Sequence, residues 1–457
     1  MTTTGRAETT SLTDGDAQAA ITERTATRAK AAWLAPALVL LGVALFGLAT
    51  LLNYPATFVD EGWNANRAWS LLQTGHQFAS VDSGVYQQYA GYWTYWPYLA
   101  ALIHAAFIWL FGLSLASVRL ASLFFGLVLL TTVYFIARKL YSPKAGVIAM
   151  ALLAVSSPFI YTSHMARHDI IVAAFGFGAI ALYVTDEKSS LTVKSVLSGL
   201  LIALALDIHL NALIYGPIML ALFLLDYRRN ILRTGRFWGF VLGGSLGVLY
   251  FVAMHFLQYP QTYFAIGGIG NGSAHTPPGL VLDPSLWQWS LIHTFDFLDL
   301  ILLPVIVPAM IFLIRRQTRS DIKVLVLFGI SVVSMAAIVQ TKAPFYAILI
   351  APTLPLVMSP YLDKITEKVG KMTEWAFWRN LIVISILVAV GCLNVYPAIH
   401  GSDAEYQKVL GLIKQTIPAE SLVYGSPTYW FALPNNHYVN WEQILFEQET
   451  MPDGTFS

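Results

Sequence analysis

The sequence predicts an all-α polytopic membrane protein of about eleven transmembrane helices. Short juxtamembrane helices are expected at the outer face, with a small α/β segment outside the membrane at the C-terminal end. Three observations predict it. The chain of 457 residues is 56% hydrophobic and only 12% charged, with a mean hydropathy of +0.60, whereas a soluble domain charges about a quarter of its residues. Its apolar residues are gathered in long runs, and its basic residues fall in alternate gaps between them. This composition excludes a soluble enzyme, a nucleic-acid binder and a disulfide scaffold. Cys392 is the only cysteine and lies in an apolar run, so neither an intrachain disulfide nor a cysteine-based metal site can form.

Residues 1–30 are polar and rich in Thr and Ala, and read as a disordered cytoplasmic tail. Residues 31–59 carry no charged side chain. That run is too long for a signal-peptide core and reads as a retained first span. Further apolar runs at 116–137, 145–161, 170–185, 195–210, 212–225, 237–257, 300–314, 322–340, 344–360 and 381–397 complete the eleven. With the first residues inside, the inner loops hold the basic clusters, among them Arg138, Lys139 and Lys144, and Arg315, Arg316, Arg319 and Lys323, as the positive-inside rule requires. The stretch 97–111 is apolar too. Counting it as a span would move Arg138, Lys139 and Lys144 outside, so it is placed as a helix on the outer leaflet. All 10 histidines then fall in outer loops or at outer ends of spans. The outer side carries 54–115, 162–169, 258–299 and everything from 398 onward, so chemistry belongs there. Within 398–457, residues 404–416 have helical spacing, and 422–424 and 438–439 read as short strands. Sixty residues hardly make an independent core, and a cap against the membrane domain is expected.

The candidate residues follow from this sidedness. Asp60 and Glu61 are adjacent carboxylates just beyond the first span. A carboxylate near the bilayer surface is partly desolvated, which makes it a better base; the plainer alternative is a solvated pair ending the helix. Arg167, His168 and Asp169 crowd a short outer loop, where ions are costly unless they pair or bind something; an Arg167–Asp169 pair capping the next helix is the alternative. Lys342 stands on the outer side against the charge rule and suits an anionic ligand such as phosphate, unless it merely snorkels. Arg119, at the outer end of the second span, invites the same two readings. Asp207 and His209 read first as polar groups at a helix end. The aromatic first loop, with Trp63, Trp69, Tyr89, Trp93 and Trp96 among others, fits an interfacial belt.

In their order these motifs resemble the membrane-embedded C-type (GT-C) glycosyltransferases, the group of protein O-mannosyltransferases, the lipid A aminoarabinose transferase and the rhizobial galacturonosyltransferases. The likeness covers most of 31–397, which it implies to be a transmembrane catalytic domain. It rests on Asp60-Glu61 after the first span, Pro97, Phe111-Gly112 and Arg119-Leu120, the Arg167/Asp169 pair, and Lys342 and Tyr346 followed by Pro352 and Pro355. The resemblance is expected to be weaker to the eukaryotic members that carry a large lumenal domain, for which no counterpart is read in these residues. The resemblance implies a sugar donor carried on polyprenyl phosphate, an acceptor that is a glycan, lipid or protein, and no nucleic-acid partner. It points to Asp60 as base, with Glu61 orienting the acceptor or tuning Asp60 and Asp169 holding Arg167 or His168. Lys342 and Arg167, supported by Arg119, would face the donor phosphate, with His168, Tyr346 and His209 as further site candidates. The expected outcome is inversion at the anomeric carbon, outside a plasma membrane and, from the overall make-up, in a bacterium. No organic cofactor is implied, and participation of a divalent cation is left open. The competing readings are a polytopic transporter or flippase, and an inactive component of an envelope-polysaccharide assembly.

Overall fold

A computed structural model of the protein describes residues 33–77, 80–82, 98–257, 302–339, 343–372, 376–401 and 404–441. The expected tail 1–30, part of the aromatic first loop, the loop 258–299, Lys342 and the last sixteen residues lie outside the described residues.

The first helix, α1, is Trp33–Thr50. After a turn comes α2 (Val59–Thr74), which starts at an extended Phe58 whose N–H donates to Glu61 Oε2 at 2.9 Å. It stops at Gly75, where φ is 78°, a left-handed conformation that favours glycine. Next is α3 (Tyr98–Phe111), whose 14 residues are about 21 Å long, short of the roughly 30 Å apolar layer. Ala101, Ala105 and Ile108 bury one face against α2, while Leu102, Trp109 and Leu110 stay exposed. The second long span, α4 (Leu115–Leu140), opens on a reciprocal Ser114–Ser117 cap and ends with Arg138 and Lys139, cations that suit the negative end of the helix.

The run expected as one span at 145–161 is two helices, α5 (Pro143–Ala154) and α6 (Ser157–Ser163), bent by 66°. Pro158 in the first turn of α6 has no N–H to continue the ladder. Then follow α7 (Asp169–Thr185), α8 (Val193–Ile208), α9 (Tyr215–Tyr227) and α10 (Gly235–Phe251). Helices α8 and α10 pack closely against each other. A side chain at Gly199, Gly239, Gly243 or Gly247 would overlap the facing helix, so small residues let the two backbones meet, the way membrane helices pack where water gives no hydrophobic drive. After the gap come α11 (Leu303–Arg316) and α12 (Arg319–Ile338). The span expected at 344–360 is instead a 3-10 turn, Pro344–Leu349, followed after Pro352 by α13 (Thr353–Met372). The last long helix is α14 (Ala376–His400).

Among the described residues, six helices are long and apolar enough to cross a membrane, or seven if α5 and α6 form one bent span. The spans expected at 170–185, 195–210 and 300–314 are helices of 17, 16 and 14 residues, below the ~20 of a perpendicular crossing. The chain is a multi-pass membrane protein. Beyond α14, α15 (Ala404–Thr416) precedes two parallel strands, β1 (Leu422–Gly425) and β2 (His437–Asn440), joined through a 3-10 turn, Pro427–Ala432. This cap shares a separate apolar cluster with α2, α3 and the start of α4, centred on Trp430, Tyr438, Ala65, Ala68 and Val118.

Candidate active site

Neighbouring residues on a helix point about 100° apart, and that angle separates Asp60 from Glu61. Glu61 points inward and has no solvent exposure. Arg119 grips it with two parallel hydrogen bonds, Nε to Oε1 and Nη2 to Oε2, both 2.8 Å. Glu61 also accepts from the Ala166 N–H at 2.7 Å. The other Arg119 donors reach the carbonyls of Leu51 at 2.8 Å, Tyr54 at 3.4 Å and Pro55 at 3.0 Å. One ion pair thus ties together the end of α1, the start of α2, α4 and the loop between α6 and α7. Such burial of charge is sustained only when every donor and acceptor is matched.

Asp60 points the other way. Its side chain keeps 18% exposure and pairs with Arg167, whose Nε donates to Asp169 Oδ2 at 2.9 Å. The guanidinium lies 3.6 Å from the centre of the Phe345 ring and 5.5 Å from that of Phe58. Carboxylates occupy its edges and aromatic rings its faces, so among the described residues this one cation pairs with two anions.

His168, beside Arg167, is buried and stacks on His209 with ring centres 5.9 Å apart; His209 in turn meets Tyr346 at 5.7 Å. Burial first, then the charges of His209, Arg167, His104 and Arg67, hold the His168 pKa well below the ordinary imidazole value. Burial likewise pushes His164, in the same loop, down to about 4. Both rings therefore stay neutral near pH 7.

The geometry brings Asp60, Glu61, Arg119, Arg167, His168, Asp169, His209 and Tyr346 to one end of the bundle. Lys342 lies outside the described residues, although Phe345, three residues on, seats Arg167. Arg119 does not fit the expectation of a phosphate contact: it is fully buried and engaged by Glu61 and three carbonyls. Glu61, equally buried, has no face toward an acceptor. Asp207, near the end of α8, accepts from the Leu99 N–H at 3.2 Å and so caps the start of α3, a different helix from the one it was expected to end.

Four participants are not singled out by the sequence. Phe58 and Phe345 are aromatic residues in an aromatic-rich chain, and nothing in their spacing links them to Arg167. Asn64 and Arg67 carried a readable signal, since 60, 64 and 67 share one helix face. Asn64 donates to the Ala166 carbonyl at 2.9 Å. Arg67, buried, lines a cavity of about 10 Å3 with Asn64, Gln77, His104 and His168. Among the described residues, no group of three or more His, Cys, Asp or Glu side chains is arranged to hold a metal ion.

A family model described as dolichyl-phosphate-mannose-protein mannosyltransferase matches residues 96–256. In three dimensions the chain is similar to ArnT from Cupriavidus metallidurans, at 16% identity over 93% of this chain and 89% of that one, with a TM-score of 0.66. The same protein bound to undecaprenyl phosphate gives 0.65. The chain has the fold of the membrane-embedded C-type glycosyltransferases. The oligosaccharyltransferase of Archaeoglobus fulgidus shares that fold more distantly, at 13% identity over 88% of this chain and 62% of that one, with a TM-score of 0.53. No curated protein matches the sequence significantly. At these identities the likeness settles the fold, and the assignment of chemistry rests on the cluster around Asp60.

Proposed function

We propose that the chain is an inverting glycosyltransferase that moves a sugar from polyprenyl phosphate to an acceptor at the extracytoplasmic face, with Asp60 as general base. One observation carries the reading. In a cluster where Glu61, Arg119, Arg167 and Asp169 are all buried, Asp60 alone keeps an open edge. It is the carboxylate that an acceptor hydroxyl can reach.

The chemistry needs little more. Asp60 takes the acceptor proton as the acceptor oxygen forms its bond to the anomeric carbon. The bond from that carbon to the phosphate oxygen breaks on the opposite face, and the phosphate leaves with the electron pair. A phosphate ester anion is stable as it departs, so no general acid is required. Charge gathers on it in the transition state, and a fixed cation there lowers the barrier. Arg167, which borders the open edge of Asp60, and Lys342 are the cations proposed for that role, and Asp169 and the two rings keep Arg167 from swinging. Glu61 and Arg119 form the frame rather than the reacting shell.

The carrier tail has a place to lie. An apolar groove of about 710 Å3 between α4, α7 and α8 begins at Phe124 and Phe125 and is walled by Phe135, Phe175 and Leu201. It starts about one and a half turns along α4 from Arg119. A structure of the same fold bound to undecaprenyl phosphate, that of ArnT, supports a lipid phosphate as the donor carrier. The test uses purified full-length protein and undecaprenyl-phosphate-linked sugars, with released undecaprenyl phosphate followed by mass spectrometry. Release by the parent, lost in Asp60→Asn, is expected. Full release by Asp60→Asn removes the base, and lipid movement across vesicles without release favours a flippase instead.

A further inference from the structure

The cap formed by α15, β1 and β2 packs against the helix that carries Asp60, and its backbone comes close to that helix at Gly62. Gly62, one residue past Glu61, lies against the backbone of Pro427, so closely that a methyl group there would overlap the Pro427 carbonyl. That carbonyl is not a loose loop atom. The next residue, Thr428, has its carbonyl bonded by the Tyr406 hydroxyl from α15. The preceding carbonyl, of Ser426, accepts from the Tyr438 hydroxyl of β2 at 2.6 Å. The Ser426 hydroxyl adds a bond to Thr428 Oγ1 at 3.0 Å. Below this turn, Trp430 is fully buried in the cluster that also holds Trp63, Ala65 and Ala68 of α2. The cap is thus braced on both sides of its contact with α2.

The opposite side of α2 is fixed by Glu61 to Arg119 and by Asn64 to the Ala166 carbonyl. The first turn of α2 is held between a membrane-side anchor and a cap-side stop. Glycine at 62 is what lets the stop come close, since any larger residue would lift α2 away from it.

We propose that the C-terminal segment is a positioning element of the active site: the Pro427–Thr428 turn, braced by Tyr406 and Tyr438, presses on Gly62 and sets where Asp60 stands relative to Arg167. This rests on the reading of Asp60 as base and adds a second place from which that base is controlled. Gly62, Tyr406 and Tyr438 act through Asp60, and none of them contacts substrate.

The test compares full-length Gly62→Ala and Tyr406→Phe with the parent and with Asp60→Asn. Turnover is release of undecaprenyl phosphate from undecaprenyl-phosphate-linked sugar per folded protein, and donor-site integrity is binding of undecaprenyl phosphate itself by native mass spectrometry. A displaced reacting group costs on the order of a hundredfold per ångström. The expectation is therefore a fall of kcat by roughly ten- to a hundredfold in Gly62→Ala and about threefold in Tyr406→Phe, with KM and undecaprenyl phosphate binding within about twofold of the parent. Hydrogen exchange should rise at 59–64 and not at α7. A cap that only adds stability would lower the melting temperature and leave kcat per folded protein unchanged, which overturns the proposal. If Gly62→Ala does not fold, Tyr406→Phe, which deletes one oxygen, decides alone. Activity retained in Asp60→Asn sinks the base assignment; Asp60→Asn inactive with both cap variants at parental kcat sinks only the cap.

Discussion

Asp60 and Glu61 are the same chemistry one residue apart, and they end in opposite circumstances. Glu61 has no exposure and four hydrogen bonds, from Arg119 twice, Phe58 and Ala166. Asp60 keeps an open edge and, among the described residues, shares Arg167 with Asp169. Arg119 is matched one to one, whereas Arg167 is outnumbered and framed by rings. The contrast shows how a membrane protein can hold charge near its surface. One pair is closed off and fixes the backbone, whereas the adjacent one keeps an exposed carboxylate edge, the edge that the proposed acceptor would reach.

Breaking the open side has the largest expected effect. Asp60→Asn removes the proposed base, and general-base catalysis contributes about 10²- to 10⁴-fold, so turnover should fall by that much with the melting temperature nearly unchanged. The closed side should respond in the reverse sense. Glu61→Gln leaves Arg119 buried without its counter-charge, and breaking a buried pair costs about 3–5 kcal/mol. The measurement is thermal or denaturant unfolding in detergent, where Glu61→Gln should lose stability well before Asp60→Asn does. Equal loss in the two variants would erase the distinction.

A smaller effect sharpens the contrast from the partner's side. Phe345→Ala removes the ring 3.6 Å from Arg167, an interaction worth roughly 2 kcal/mol when desolvated. Arg167 then loses its fixed plane while its charge remains. Turnover should drop about tenfold or somewhat more, and undecaprenyl phosphate should bind more weakly. The matching change on the closed side, Arg119→Lys, keeps the charge but loses the fork that holds both Glu61 oxygens and three carbonyls. It should reduce stability and leave the affinity for undecaprenyl phosphate near the parental value.

How much of this could be read in the sequence follows from the kind of signal each feature sends. Long apolar runs report spans directly, because lipid demands them, and α4, α12 and α14 fall where the runs are. Helix α15 and the strands β1 and β2 were visible as a change of period. The break between α5 and α6 was not, since only Ser156-Ser157-Pro158 marks the bend inside a run that reads as one apolar stretch. At the site, the cost of ions near lipid singled out Asp60, Glu61, Arg119, Arg167 and Asp169. Composition could not say which carboxylate would take which arginine, because that depends on the 100° step between 60 and 61 and on where α4 passes. Gly62 and Pro427 are far apart in sequence and carry no charge, so their contact left no trace there.

The smallest expected effect concerns the loop that supplies both partners, Ala166 to Glu61 and Arg167 to Asp60. His164 and His168 sit in it, and burial keeps both neutral in the folded protein, with His164 near 4 and His168 well below its ordinary value. In the unfolded chain each takes up a proton near pH 6.5. Below that pH the unfolded state binds more protons than the folded one, so stability falls as pH drops; above about 7 neither state is protonated and the effect vanishes. The slope should be on the order of 1 kcal/mol per pH unit for each histidine between pH 6.5 and 5. His168→Gln should flatten that part of the melting-temperature profile. The activity profile should show no inflection from either ring between pH 6 and 8, since both stay neutral in the folded state. An inflection near 6.5 that disappears in His168→Gln would mean that His168 ionises beside Arg167, and that the loop is less sealed than its burial implies.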